Sequence, residues 1–136
     1  MSTPLKLQVL NRISGDATLA GLLASGEVHP RAGADPNSET ATPFVVLQWG
    51  NEVVVDELTG RQFGTVYIYD DPLAGWGYWR IDKIALRLRL LFDGYEGFTF
   101  AGRNWGRCTY DGTSEEQTDD EWHKLMKWVR FSVPGV

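Results

Sequence analysis

The helical periodicity of residues 76–93 constrains this chain more than any other feature. At about 100° per residue, Ile81, Ile84, Ala85, Leu88, Leu91 and Phe92 gather into one broad apolar stripe, while Trp79, Leu86 and Leu90 fall on the opposite side of the cylinder. Charged residues occupy the flanks: Arg80, Lys83 and Arg87 along one, Asp82 and Arg89 along the other. A helix that covers one side of a small domain needs only one apolar stripe. The second stripe has to be buried against another segment of the chain or against another subunit, and periodicity does not choose between them.

The rest of the chain supplies the framework for that helix. Thr3 and Pro4 read as the N-cap and first residue of a helix whose Leu5, Val9 and Ile13 share a face. Gly15 breaks the run, and Asp16 caps a second short helix carrying Leu19, Leu22 and Leu23, with Gly26 as its stop. Residues 27–43 are rich in Pro, Gly, Ala, Asn, Ser and Thr and read as a long loop. Strands are predicted over 44–50, 53–58 and 63–69, with Thr59-Gly60 turning between the second and third. The third alternates Phe63, Thr65, Tyr67 and Tyr69 against Val66 and Ile68, then ends at Asp70-Asp71-Pro72. Beyond the helix, closed by Gly94, a hairpin is predicted from strands 98–101 and 105–110 around Gly102-Arg103-Asn104. An acidic loop over 111–121 leads to a last strand, 122–133. Leu125, Val129, Phe131 and Val133 form one of its faces. Trp122, Met126 and Trp128 lie on the other, mixed with Lys124 and Arg130. Two apolar faces place that strand inside a layered fold.

This order predicts an α+β fold, a mainly antiparallel sheet flanked by a long helix at about 76–93 and by short N-terminal helices. The expected organisation is a single domain over 1–136, with long loops at 27–43 and 111–121. A chain of 136 residues and 15.3 kDa is long enough for one real core. Its 43% hydrophobic and 23% charged composition is that of a globular protein.

Composition also narrows function. No apolar run approaches the ~20 residues that cross a bilayer, so no membrane partner is expected, and residues 5–10 are too short and interrupted for a secretory core. The single Cys108 excludes an internal disulfide, as suits cytoplasmic synthesis. A net charge of −5 and a pI near 4.9 argue against a sequence-independent grip on nucleic acid, which depends on neutralising phosphates. Six Trp, five Tyr and six Phe suit either a filled core or an interface.

Residues able to carry chemistry are scattered. His29 and His123 form no metal-spaced pair, and one cysteine cannot build a zinc site. A Cys108–His123–Asp nucleophile has no supporting motif. Gly75-Trp76-Gly77 begins like a dinucleotide fingerprint, but Arg80 and bulky rings defeat the close approach its glycines serve. Glu115, Glu116, Asp119, Asp120 and Glu121 lack the spacing and central glycine of a calcium loop. The expectation is a protein with no catalytic residues, metal or cofactor.

Three segments together resemble the tail terminator (tail completion) proteins of long-tailed, non-contractile bacteriophages. They are Thr42-Pro43-Phe44-Val45-Val46-Leu47; Thr65-Val66-Tyr67-Ile68-Tyr69-Asp70-Asp71-Pro72, running into Arg80-Ile81-Asp82-Lys83-Ile84-Ala85-Leu86-Arg87-Leu88; and His123-Lys124-Leu125-Met126-Lys127-Trp128-Val129-Arg130-Phe131. The likeness covers about residues 16–133. It implies a structural protein of the virion, resident at the tail–neck junction, forming a hexameric ring that caps the tail tube and ends its polymerisation. The implied partners are copies of itself, the tail-tube protein and a head-side neck or stopper protein, with DNA passing through the lumen without specific binding. A cyclic ring uses a heterologous contact, so each subunit needs two different adhesive surfaces. Trp79, Leu86, Leu90 and Trp128 are the candidates for the subunit interface. Six copies at −5 each carry −30, which suits a lining that repels phosphate. Glu115, Glu116, Asp119, Asp120 and Glu121 are candidates for the lumen or a partner ring, or else form a solvated outer loop. Two other functions compete: a head–tail stopper or adaptor of the neck, and a carbohydrate-binding module stacking sugars on Trp76, Trp79 or Trp105.

Overall fold

A computed structural model describes residues 5–24, 28–30, 42–49, 53–54, 60–100, 103–104, 106–120 and 123–134. The helices are α1 (Leu5–Ser14), α2 (Ala17–Leu22) and α3 (Trp79–Phe92). The strands before α3 are β1 (Val28–Pro30), β2 (Phe44–Trp49), β3 (Val53–Val54) and β4 (Gly60–Asp70). After it come β5 (Thr99–Phe100), β6 (Arg103–Asn104), β7 (Thr109–Thr113), β8 (Gln117–Asp119) and β9 (Lys124–Pro134). The main sheet runs β1-β2-β4-β9-β7, with β3 added to β4 and β8 to β9, and β5 and β6 form a separate small hairpin. Among the described residues only β1 and β2 pair in parallel. The predicted α+β class, with a mainly antiparallel sheet, is the observed one.

Alternation along the long strands builds two apolar faces. On one, Val45, Leu47, Val66, Ile68, Val129, Phe131 and Val133 are buried beneath α1, α2 and α3. On the other, Phe44, Val46, Tyr69 and Met126 form a second buried cluster, with Tyr67 and Trp128 packed against it. Gly64 lies opposite Phe131 in the register, and a Cβ there would sit 2.7 Å from the Phe131 ring and 2.9 Å from Trp49. The missing side chain is what lets both rings close over the strand.

Helix α3 is held on the first face by packing and by ion pairs. Its buried residues are Ile81, Ile84, Ala85, Leu88, Leu91 and Phe92, all six of the broad predicted stripe. The Phe92 ring stacks on Phe131 with centroids 4.2 Å apart and planes 3° from parallel. The Arg80 guanidinium grips the wholly buried Asp70 through both carboxylate oxygens, at 2.8 and 2.5 Å, and so fixes the angle between β4 and the start of α3. At the far end Gly94, at φ 82°, turns the chain out of the helix as predicted.

Asp16 ties α2 to α3. One carboxylate oxygen accepts the Leu19 backbone N–H as the N-cap, and the pair receives Arg87 at 2.9 and 2.6 Å. The Arg87 hydrogen bond holds the Asp16 carboxyl below its ordinary value of 3.8, against the opposing effect of burial. A depressed native pKa stabilises the fold in full above the unfolded value and loses that contribution as pH falls through the native one. Asp16→Ala is therefore expected to lower stability at pH 7 by about 1 kcal/mol through loss of the cap. The difference from wild type should narrow in urea melts as pH drops below 3.8.

Several expected boundaries are corrected. The long helix begins at Trp79, not at 76, because Pro72–Ala74 forms a single 3-10 turn and Gly75 and Gly77 take positive φ before it. The segment 27–43 contains β1, too short and too weakly apolar to stand out in the sequence. The 98–101 strand pairs with Arg103–Asn104 instead of 105–110, and β7 leaves that hairpin to join the main sheet. The acidic loop over 111–121 is largely strand: β7 and β8 both pair along β9. Their polar, charged sequence is that of a largely exposed sheet edge, in which Tyr110 alone brings a large apolar side chain to the core. The helix start at Thr3-Pro4, the Gly26 stop, most of the 53–58 strand and Trp122 lie outside the described residues.

Candidate assembly surface

The second stripe of α3 points away from the sheet. Trp79 is 52% exposed, Leu86 58% and Leu90 65%, on a helix whose opposite side is wholly buried. The α1 residues Leu5, Val9 and Ile13 are buried in the main core. The nearest flank is α2, where Thr18 and Leu22 join Lys83, Leu86, Arg87 and Leu90 around a shallow cavity of about 320 Å³.

Flanking charges of α3 are engaged within the chain. Arg80 pairs with Asp70 and Arg87 with Asp16 on one side. On the other, Lys127 of β9 reaches Asp82 at 2.6 Å, and the Arg89 guanidinium lies 4.7 Å over the Tyr110 ring. Tyr78, just before the helix, donates its hydroxyl to the Gln117 carbonyl of β8 at 2.7 Å. Lys83 differs from the others. Expected on a flank, it sits over the Trp79 ring at 4.1 Å and makes no ion pair among the described residues. Its helical angle, only about 40° from that of Trp79, is the signal that assigns it to the outer stripe.

Trp76 and the 92%-exposed Leu73 extend the apolar surface beyond the helix start. Trp76 stacks on Trp79 with centroids 5.2 Å apart, and Arg80 lies 5.3 Å over the Trp76 ring. Each indole is thus engaged by its neighbour and by a cation, an arrangement unlike an open platform awaiting a sugar. Trp105 lies outside the described residues.

Trp128 does not join the other three interface candidates. It lies on the second face of the sheet, half-buried beside Tyr67, with Arg130 at 4.7 Å over its ring. Glu115 and Glu116 are exposed between β7 and β8, Asp119 is half-buried on β8, and Asp120 is exposed just after it. With Asp111 of β7 they line one edge of the sheet, and Glu121 lies outside the described residues.

Other candidate chemistry is kept apart. Cys108 is buried next to the Thr109–Ser132 pair, whereas His123 is exposed in the turn before Lys124. Those positions are at opposite ends of β9, roughly 30 Å apart at strand rise. His123 adopts φ 53°, the conformation of a turn residue. No group of three His, Cys, Asp or Glu able to hold a metal occurs among the described residues. A polar cavity of about 470 Å³ beside α1 is a structural seam. Arg12 donates to the Leu91 carbonyl there and covers the Tyr95 ring, and Gln8 bonds both backbone groups of Thr99.

A chain of the virion of a native gene transfer agent particle is similar to this protein, with a TM-score of 0.67 at 18% identity. The match covers 93% of this chain and 90% of that one, so the two share a fold along almost their whole length. No protein-family model and no curated protein matches the sequence.

Proposed function

We propose that this chain is a structural protein of a virion that forms a ring on the end of a tail tube. The ring ends tube polymerisation and joins the tail to the DNA-filled head. The observation that carries this reading is the exposed apolar ridge of α3, a surface without catalytic chemistry that calls for a protein partner. The fold shared with a gene transfer agent virion chain supports the setting, and the resemblance to tail terminators supplies the finer role. In this reading the chain acts through contacts alone, with no reaction and no cofactor. Six copies associate with each other, with tail-tube protein below and with a head-side neck protein above. DNA passes through an acidic ring without being held. The protein is made in the host cytoplasm and ends at the tail–neck junction.

Electron microscopy of a lysate from a phage with a stop codon in this gene tests the reading. Filled heads beside separate, abnormally long tails are the expected result, because length control and joining fail together. Normal-length tails beside heads emptied of DNA would move the protein to the neck as a stopper or adaptor. Intact infectious particles would overturn both.

A further inference from the structure

Resting on the ring reading above, we propose that copies of this chain join head to tail. The outer ridge of α3 in one copy seats on the acidic β7–β8 edge of the next. The ridge is Trp79, Lys83, Leu86 and Leu90, extended by Trp76. Helix α3 carries four cations, of which Arg80 and Arg87 are neutralised by Asp70 and Asp16, while Lys127 neutralises Asp82. Among the described residues Lys83 on the ridge and Arg89 on the flank keep their charge without an ion pair. Residues 109–120 carry five carboxylates and no lysine or arginine. Four of them, Asp111, Glu115, Glu116 and Asp120, are exposed. Beyond β9, strands β7 and β8 pair with no further strand among the described residues.

Charge selects among the ways two copies can meet. Ridge on ridge sets the Lys83 ammonium groups of two copies against each other, and edge on edge sets two acidic strand pairs together. Both self-pairings bring like charges into an interface. Ridge on edge is attractive, and it joins two different surfaces. Such a contact is heterologous and closes into a ring when the rotation allows. The apolar side chains supply area at its centre, and Lys83 is the cation placed among them to meet a carboxylate of the neighbour.

The test uses the purified full chain in two parallel experiments. Leu86→Cys and Thr118→Cys place thiols on the ridge and on exposed β8, while native Cys108 stays buried. On mild oxidation the double variant is expected to give an interchain disulfide ladder that neither single variant gives. Lys83→Glu is expected to weaken self-association by about tenfold, read by analytical ultracentrifugation. Adding Glu116→Lys is expected to restore it. Disulfide dimers from Leu86→Cys alone would overturn the proposal in favour of ridge on ridge. Oligomers untouched by Lys83→Glu and giving no ladder would overturn it while leaving the ring reading intact. A chain monomeric up to its solubility limit would also overturn it. The ring reading itself falls only on the micrographs of the stop-codon lysate.

Discussion

Arg80→Ala is expected to lower the unfolding free energy by about 3 kcal/mol, several times what an exposed helical arginine carries. The difference lies in its partner. Asp70 is wholly buried at the end of β4, and its carboxylate has three neighbours that donate: Arg80 Nε, the second Arg80 nitrogen, and the Asp71 backbone N–H at 2.8 Å. Removing the guanidinium takes two of those donors and leaves a charge in a dry site with one. That penalty is the desolvation of an unpaired ion, and it exceeds the worth of the pair itself. Asp70→Leu combined with Arg80→Met should therefore be much closer to wild type than Arg80→Ala alone, because nothing charged is then left inside. Urea unfolding at pH 7 of Asp70→Leu, Arg80→Met and the double variant measures this coupling, with Arg80→Ala measured alongside. A loss below about 1 kcal/mol for Arg80→Ala would mean that water reaches Asp70 in its place.

The parts of the fold most legible in the sequence are those whose burial is periodic. Both stripes of α3 follow from the 3.6-residue repeat, and the structure buries every member of one while exposing Trp79, Leu86 and Leu90 of the other. Asp16 as a cap and Gly94 as a stop are local signals that need no tertiary context. The strands β7 and β8 carry no such signal. Apart from the half-buried Tyr110 and Asp119 most of their side chains are exposed, so what makes them strands is chiefly backbone pairing to β9, and composition alone reads them as a solvated loop. Trp128 shows a different limit. Alternation correctly separates it from Val129 and Phe131, but which face of the sheet α3 covers depends on the connection from β4, which alternation does not encode. Trp79 and Trp128 therefore lie on opposite sides of the sheet, a separation that periodicity within each element does not show. Lys83 illustrates a third: its charge suggests a flank, whereas its angle and its stack on Trp79 place it on the ridge.

Leu88→Asp is expected to abolish folding, whereas Leu86→Asp, two residues away on the same helix, is expected to leave the monomer folded. Leu88 is fully buried between α3 and the sheet. Replacing it removes a core side chain, worth about 2–5 kcal/mol, and adds a carboxylate inside an apolar core cluster. The sum approaches the whole stability of an ordinary domain, about 5–15 kcal/mol. Leu86 already spends most of its surface in water, so its replacement costs little beyond helix propensity, about 0.5 kcal/mol. Circular dichroism melts and soluble yield separate the two outcomes directly. Unfolding of both variants would mean that the outer stripe is a second core packed within the chain, and the case for an assembly surface would lose its main support. Retention of fold in Leu86→Asp alone would leave a helix with two apolar sides and only one of them needed for folding. The other side then has to be explained by what it meets outside the chain.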